Sequence, residues 1–408
     1  MKQSLVIVGA SYAGVQMAAS ARELGFEEPI VIVGDETHTP YQRPPLSKAL
    51  LAGKTTADKL GLRGADFFEK NRIDLRLGRR ATALDVGARS VTLEGGDTLD
   101  YGWLMLATGA RCRPLHMPGR ELQGVHDLRT LDDALQVAAA ADRCRRAVVI
   151  GGGFIGLEVA SALRTRGAEV TVIEAQPHLL TRTFPPAMSA FVENAHRSRG
   201  VDLRTGQGVM ALHGNGGQVS AVELEDGSCI ECDLVVLGIG VLPNSEMAAV
   251  AGLRVDRGIV TDLCGRTSAE NILAVGDVAN VTQADGSLLR LESIQAANDG
   301  ARAAAGLLVG KESPNTALPW FWSDQFDLKI QMAGLHAQDD EVVLRGDMAS
   351  EKFSVFYLRR GVLVATHGVN KASEHMTARR LIAAGAAPTA AQLADESVDL
   401  KTLLAPAA

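Results

Sequence analysis

The chain is poor in cysteine, and where its few cysteines lie excludes more chemistry than it allows. There are five: Cys112, Cys144, Cys229, Cys232 and Cys264. Only Cys229 and Cys232 share a C-x-x-C spacing, at a point where a turn feeds a strand. Residues three apart on a strand face opposite sides of a sheet, whereas a redox pair usually sits at a helix N-terminus that lowers its thiol pKa. The pair is therefore read as structural. An odd, scattered set with no secretory pattern suggests reduced thiols and a cytoplasmic setting. Long apolar runs are missing too, since none approaches the ~18–20 residues of a membrane span. Positive charge is not in excess: the net charge of −7 argues against a general nucleic-acid binder. No metal site is expected. What the chain has in quantity is apolar residue, 46% of the total. At 408 residues it is long enough for two or three domains of ~100–200 residues each.

The strongest signal is AVVIGGGFIGLEVASALRTRGAEVTVIEA, from Ala147 to Ala175. An apolar run reaches Gly151, Gly153 and Gly156 at G-x-G-x-x-G spacing. A helical segment stops at Gly167, and a second apolar run closes on Glu174. This is the order of a dinucleotide-binding unit. Gly151 permits the tight turn, Gly153 lets backbone approach a pyrophosphate, and Gly156 lets helix pack close to strand. The helix N-terminus then offers N–H groups and a positive dipole end to the phosphates.

A first copy opens the chain. VIVGASYAGVQMAAS lies over VVIGGGFIGLEVASA, so the chain holds two such units. Gly9, Ser11 and Gly14 occupy the three glycine positions, with serine in the middle, and Asp35 closes the second strand where it would accept from a ribose hydroxyl. Gln16 falls opposite Glu158. The fold tolerates a neutral residue at that helical position, so the carboxylate is a candidate for chemistry.

After Asp35, THTPYQRPPLSKALLAG reads as a loop up to Pro45, with Ser47 as a helix N-cap. The stretch from Ile73 to Tyr101 reads as short antiparallel strands. WLMLATGA and DLVVLGIG complete the two units, and ENILAVGDVAN is a further strand ending in Gly276-Asp277. Ser293 to Gly310 is alanine-rich and helical. From Trp320 to about Gly368 the pattern is strand-like, Glu374 to Ala384 is helical, and the last residues of the tail are expected to lack fixed structure.

With VGDE, YQRPPLSK, ATGA, GVHDLRT, GGGFIGLEVA, GIGVLPN and AVGDVA in that order, the chain resembles the FAD-dependent ferredoxin reductases of bacterial aromatic-ring dioxygenase and haem monooxygenase systems, from Leu5 to about Ala384. The resemblance implies an α/β fold with two Rossmann-like, glutathione reductase-like domains and a C-terminal α+β domain. The FAD domain would be residues 1–110 and 235–313, the NADH domain 111–234, and the C-terminal domain 314–408. By resemblance Ala13, Asp35, Arg43, Lys48, Ala81, Thr108, Gly109, Arg129, Asp277, Ile294 and Trp320 contact FAD, together with the turn residues Gly9, Ser11 and Gly14. Gly151, Gly153, Phe154, Ile155, Gly156, Glu158, Glu174, Arg182, Gly238, Ile239 and Gly240 would hold NADH. Glu174 favours NADH because a carboxylate accepts from a ribose 2′-OH and repels a 2′-phosphate.

The implied reaction is hydride transfer from NADH to flavin, for which the protein supplies orientation and charge. Lys48 and Glu158 are expected to form a charged pair serving it. Disulfide reductases of this fold carry cysteines after the first acid; THTPYQRPPLSKALLAG has none. Electrons should therefore leave the flavin for a [2Fe–2S] or Rieske-type ferredoxin, docking on a basic patch drawn from Arg302, Arg359, Arg360, Lys371, Arg379 and Arg380. The enzyme would be a monomer or homodimer. An NADH oxidase or disulfide reductase of the same fold, or an NADH-sensing flavoprotein resembling apoptosis-inducing factor, are the alternatives.

Overall fold

A computed structural model describes residues 4–404. The expectation about the last residues of the tail lies outside the described residues. No helix among the described residues is long and apolar enough to cross a membrane. The chain divides into two compact units. One comprises Met1–Gln42, Ala57–Arg111 and Val241–Ala317; the other comprises Arg43–Thr56, Cys112–Gly240 and Leu318–Ala408.

The first unit is built on strand Leu5–Val8, helix Tyr12–Glu23 and strand Ile30–Val33. Its five-stranded sheet runs Ile272–Ala274, Trp103–Leu106, Leu5–Val8, Ile30–Val33, Ile73–Arg76. Every neighbouring pair is parallel, with Leu5 opposite Ile30 and Trp103. A parallel sheet is covered on both faces, which is why LVIV is buried throughout rather than alternating. Helix Ile294–Leu307 packs on helix Tyr12–Glu23 through Ala297, Ala301 and Ala304 against Ala13, Ala18 and Ala21, small residues that let two helices approach closely. Ser293 caps the former, accepting from the Ala296 N–H. One sequence expectation is corrected. Ile73–Arg76 is a parallel edge strand of the main sheet, and the antiparallel ribbon begins only at Ala81–Asp85, followed by Ser90–Leu93 and Thr98–Asp100. Short apolar runs between turns do not reveal their partner strand, which here lies about forty residues upstream.

In the second unit the parallel order is Val201–Thr205, Glu169–Glu174, Arg146–Ile150, Leu234–Leu237, Val125–Asp127. The crossover between its central strands is helix Phe154–Thr165. A second, antiparallel sheet runs Trp320–Gln325, Leu328–Gly334, Val362–Val369, Lys352–Arg359, Glu341–Asp347. It is backed by helix Ala372–Ala383, which buries Ala378 and Leu381 against Phe356 and Leu363. Cys229 is exposed and Cys232 buried, on opposite sides as their spacing requires, and burial pushes the Cys232 thiol up to about 12.

Three histidines are buried in this unit, and burial holds each well below its ordinary range: His196 at about 4, His375 at about 4 and His367 at about 3. Unfolded, they take up protons near pH 6.5; folded, they stay neutral until far lower pH. The unfolded chain therefore binds more protons as pH falls from 6.5 towards 4, and stability is lost across that window by about 1.4 kcal/mol per pH unit for each group. Neither ring nitrogen of His375 meets a hydrogen-bond partner among the described residues. His375→Leu is expected to keep its stability at pH 7 and to flatten the decline by about one proton's worth, read from urea midpoints at pH 7 and 5; an unchanged slope would refute this account.

Candidate functional site

The two glycine turns do the same job with different residues. In the first unit, Gly9 has φ +123°, and a Cβ there would lie 2.0 Å from the Ala107 carbonyl oxygen of the neighbouring strand's end. Gly14 is as tight, with 1.9 Å to the Gly9 oxygen. Gly276, at φ +77°, comes close to the first helix, the Ala13 Cβ lying 3.3 Å from the position a Gly276 Cβ would take. Thr108 is fixed by two bonds with Asn244, its hydroxyl donating to the Asn244 carbonyl at 2.8 Å and its carbonyl accepting from Nδ2 at 2.9 Å. Gly9, Ser11, Ala13, Gly14, Thr108, Gly109 and Asp277 thus gather at the carboxyl ends of the parallel strands, where open α/β sheets bind ligands. Asp35 is exposed just past its strand, Ala81 opens the antiparallel ribbon and Ile294 opens the helix that Ser293 caps. The remaining residues of the FAD set, Arg43, Lys48, Arg129 and Trp320, belong to the second unit. There the Arg43 guanidinium donates to the Arg129 carbonyl at 2.7 Å.

In the second unit the three glycines separate into two kinds. Gly151 has φ +112°, and a Cβ would lie 2.4 Å from the Gly238 oxygen; at Gly156 it would lie 2.0 Å from the Gly151 oxygen. Both are demanded by the chain's own packing, which also draws Gly238 into the turn. Gly153 is different. Its φ of −81° suits any residue, and a Cβ there meets nothing within 4 Å. A glycine that the chain's own packing does not need leaves room for something from outside. The helix that starts there has neither a side-chain cap nor an acidic residue in its first turn. By contrast, helix Leu131–Ala141 carries a full Thr130/Asp133 capping box and two first-turn acids. An uncapped helix start with an open approach fits a pyrophosphate. Glu174 stands at the strand's end, accepting from the Gly152 N–H at 2.7 Å and the Gln176 N–H at 2.8 Å. Ile155 is 46% exposed beside the turn, and Phe154 packs edge-on against Phe184 and Phe321. Gly240 has φ +92° with open space around it, and Arg182 is exposed. The residues present fit a dinucleotide.

Glu158 and its counterpart Gln16 are both buried, but their company differs. Gln16 donates to Ser20 one turn along its own helix, at 2.9 Å. Glu158, 2% exposed, receives Lys48 Nζ on Oε1 at 2.7 Å, the Ser47 hydroxyl on Oε2 at 2.5 Å and the Ser323 hydroxyl on Oε1 at 2.6 Å. The expected Lys48–Glu158 pair is present. Ser47 is not a helix N-cap: it follows the short Pro44–Leu46 helix, where its hydroxyl is spent on Glu158 instead. The prolines confine the helical turn to one short piece, so no longer helix starts at Ser47. Ser323 escaped sequence reading altogether, since one serine in an aromatic strand carries no signal.

The basic candidates are less free than the sequence suggests. Arg302 pairs with Asp299 at 2.6 Å, Lys371 with Glu374 and Glu396, both at 3.1 Å, and Arg359 grips both oxygens of Asp340 at 2.8 Å. The Arg379 guanidinium lies 4.5 Å over the Trp320 ring, which stacks on Trp322. Arg360 and Arg380 are exposed.

The paired nucleotide folds, followed by an antiparallel sheet, define a class: the chain belongs to the pyridine nucleotide-disulphide oxidoreductases, whose family model matches residues 3–301, while a model described as reductase C-terminal matches residues 320–404. Rhodocoxin reductase of Rhodococcus erythropolis is 43% identical over 98% of this chain and 94% of its own. The ferredoxin–NAD(+) reductase component of the anthranilate 1,2-dioxygenase system of Burkholderia cepacia is 42% identical over 98% of both. Putidaredoxin reductase, in the crystal structure of its covalent complex with putidaredoxin, matches with a TM-score of 0.95 and 40% identity over 98% of both chains. Within its class the chain therefore belongs with the ferredoxin reductases, and it is an oxidoreductase.

Gly153→Val is expected to fold with a melting temperature close to that of the parent, because the site is open. Its affinity for NAD+ should fall at least about tenfold, roughly 1.4 kcal/mol. Gly156→Ala should lose stability instead. Unaltered NAD+ binding by the valine variant, in a calorimetric titration, would show that Gly153 does not face the dinucleotide.

Proposed function

We propose that the chain passes electrons from NADH through FAD to a [2Fe–2S] or Rieske-type ferredoxin that feeds an oxygenase. One observation carries this reading. The segment after the first unit's acid, where disulfide reductases of this fold place cysteines, carries Ser47 and Lys48 instead, and both are bound to Glu158. A thiol relay has no residues there. The five cysteines lie elsewhere, and burial raises the thiols of Cys112, Cys232 and Cys264 away from the thiolate form. The near full-length likeness to reductases named for redox-protein partners supports the outward route.

The bound flavin would supply the change from a two-electron donor to a one-electron acceptor. Residues 1–110 and 235–313, Arg43 and Lys48 among them, are proposed to carry it, with Arg129 and Trp320 as further contacts. Residues 111–234 hold NADH and residues 314–408 form the C-terminal domain. Lys48 brings a positive charge to the reacting groups, and Glu158 orients Lys48 and the nicotinamide. Glu174 selects the ribose 2′-OH: its carboxylate only accepts hydrogen bonds, and it repels a 2′-phosphate. Arg360 and Arg380 are the basic residues best placed to steer an acidic ferredoxin, because Arg302, Arg359 and Lys371 are already neutralised by neighbours. Free thiols suit a cytoplasmic setting.

Anaerobic NADH is expected to bleach the flavin stoichiometrically, and steady-state cytochrome c reduction should then require added ferredoxin. Turnover that depends on a small thiol or disulfide instead would refute the electron route. Glu174→Ala should lower the NADH-over-NADPH ratio of catalytic efficiencies by about tenfold or more; an unchanged ratio removes Glu174 from cofactor choice.

A further inference from the structure

Glu158 lies at the end of a chain of hydrogen bonds that runs well beyond Lys48. Ser323, Gln325 and His196 are all 0% exposed. The His196 Nε2 and Gln325 Oε1 are 2.9 Å apart, Gln325 Nε2 donates to the Ser323 hydroxyl at 3.1 Å, and that hydroxyl donates to Glu158 Oε1 at 2.6 Å. Only one direction satisfies every link. A carboxylate accepts and cannot donate, so Ser323 must spend its single proton on Glu158. Ser323 must then accept from the Gln325 amide N–H, which turns the Gln325 carbonyl towards His196 and requires a proton on Nε2. Each dipole therefore points its positive end at the carboxylate.

We infer that Ser323, oriented by Gln325 and His196, is a positioning residue that fixes the rotation of the Glu158 carboxylate for hydride transfer. The inference rests on the proposed role of Glu158 in that step. Its physical basis is the softness of the last torsion of a glutamate side chain, which is broad and two-fold rather than staggered. A charge such as Lys48 attracts the carboxylate but leaves its plane free to turn. Two hydroxyls, Ser47 on Oε2 and Ser323 on Oε1, define that plane. Ser323 is not needed to dock its strand on the helix, because the Phe326 N–H already donates to Ser161, one turn after Glu158, at 2.5 Å. The serine hydroxyl is thus not the strand's only hold on the helix and adds orientation to anchorage. His196 suits the end of the chain: it is enclosed by Phe326 at 5.1 Å and stays neutral, so it orients without adding a charge.

The test uses flavin-loaded protein and stopped-flow reduction by saturating NADH. Ser323→Ala is expected to slow reduction by about five- to tenfold, with NAD+ affinity close to that of the parent and a lowered melting temperature, because Glu158 loses a donor and the buried Gln325 amide loses its acceptor. Ser323→Thr should restore the rate. In a Glu158→Gln background the added Ser323→Ala change should cost less than about twofold, since there is no carboxylate left to orient. Histidine ¹⁵N spectra of the resting protein, with no turnover, should show His196 as the Nε2–H tautomer. If Glu158→Gln itself reduces at the parental rate, the role given to Glu158 fails and this inference with it. If Glu158→Gln is slow but Ser323→Ala is not, only the inference fails. Equal cost of Ser323→Ala in both backgrounds, or an Nδ1–H tautomer at His196, likewise overturns it.

Discussion

A carboxylate removed from water loses several kcal/mol of hydration that its surroundings must return. Glu158 is such a group, and much of the second unit is arranged around it. Lys48 returns most through charge, and hydroxyls add charge-assisted hydrogen bonds worth about 1.5–3 kcal/mol each. The carboxylate and its three donors come from three distant parts of the chain: Ser47 and Lys48 from the segment after the first nucleotide motif, Ser323 from the C-terminal sheet, and Glu158 itself from the helix between. One buried charge thereby ties together stretches that belong to the same compact unit although more than a hundred residues separate them. The fold itself does not demand a charge there, since the first unit places the neutral Gln16 at the matching position, donating to Ser20 of its own helix and accepting from Arg63.

The glycine turns impose the second constraint. Gly9 and Gly151 are held by backbone carbonyls of a neighbouring strand's end, Ala107 and Gly238, closer than any side chain permits. This contact sets helix start against sheet and places the first helical turn over the strand ends in each unit. Gly153 does not share that internal need, and for that reason its openness bears on binding rather than folding. The same distinction applies to charge: the basic residues of the C-terminal sheet are mostly committed to local carboxylates, which stabilise the surface without offering an attractive field to a partner.

Legibility followed the range of the interactions. The two strand–turn–helix–strand units were readable because the residues that mark them are close together in the chain. Apolar runs, glycine spacing and terminal acid all fall within about thirty residues. The Lys48–Glu158 pair was reachable only because comparison of the two copies singled out Glu158 and the family pattern singled out Lys48. The parallel pairing of Ile73–Arg76 was misread, since a four-residue apolar run is compatible with either direction and its partner is decided by the sheet. Ser47 was misread for a related reason: its identity suits a helix cap, and nothing local says that its hydroxyl is already taken.

What the sequence by itself determined is the pair of nucleotide units, the acids that close them, and the absence of thiols where a dithiol relay would have to lie. These follow from backbone geometry and from residue chemistry that no packing can supply. Only the tertiary structure decided which side chains surround Glu158. Ser323, Gln325 and His196 become a directed chain solely because an antiparallel strand near the C-terminus lies beside a helix in mid-sequence, and hydrogen bonds act over about 3 Å regardless of how far apart in the chain their partners stand.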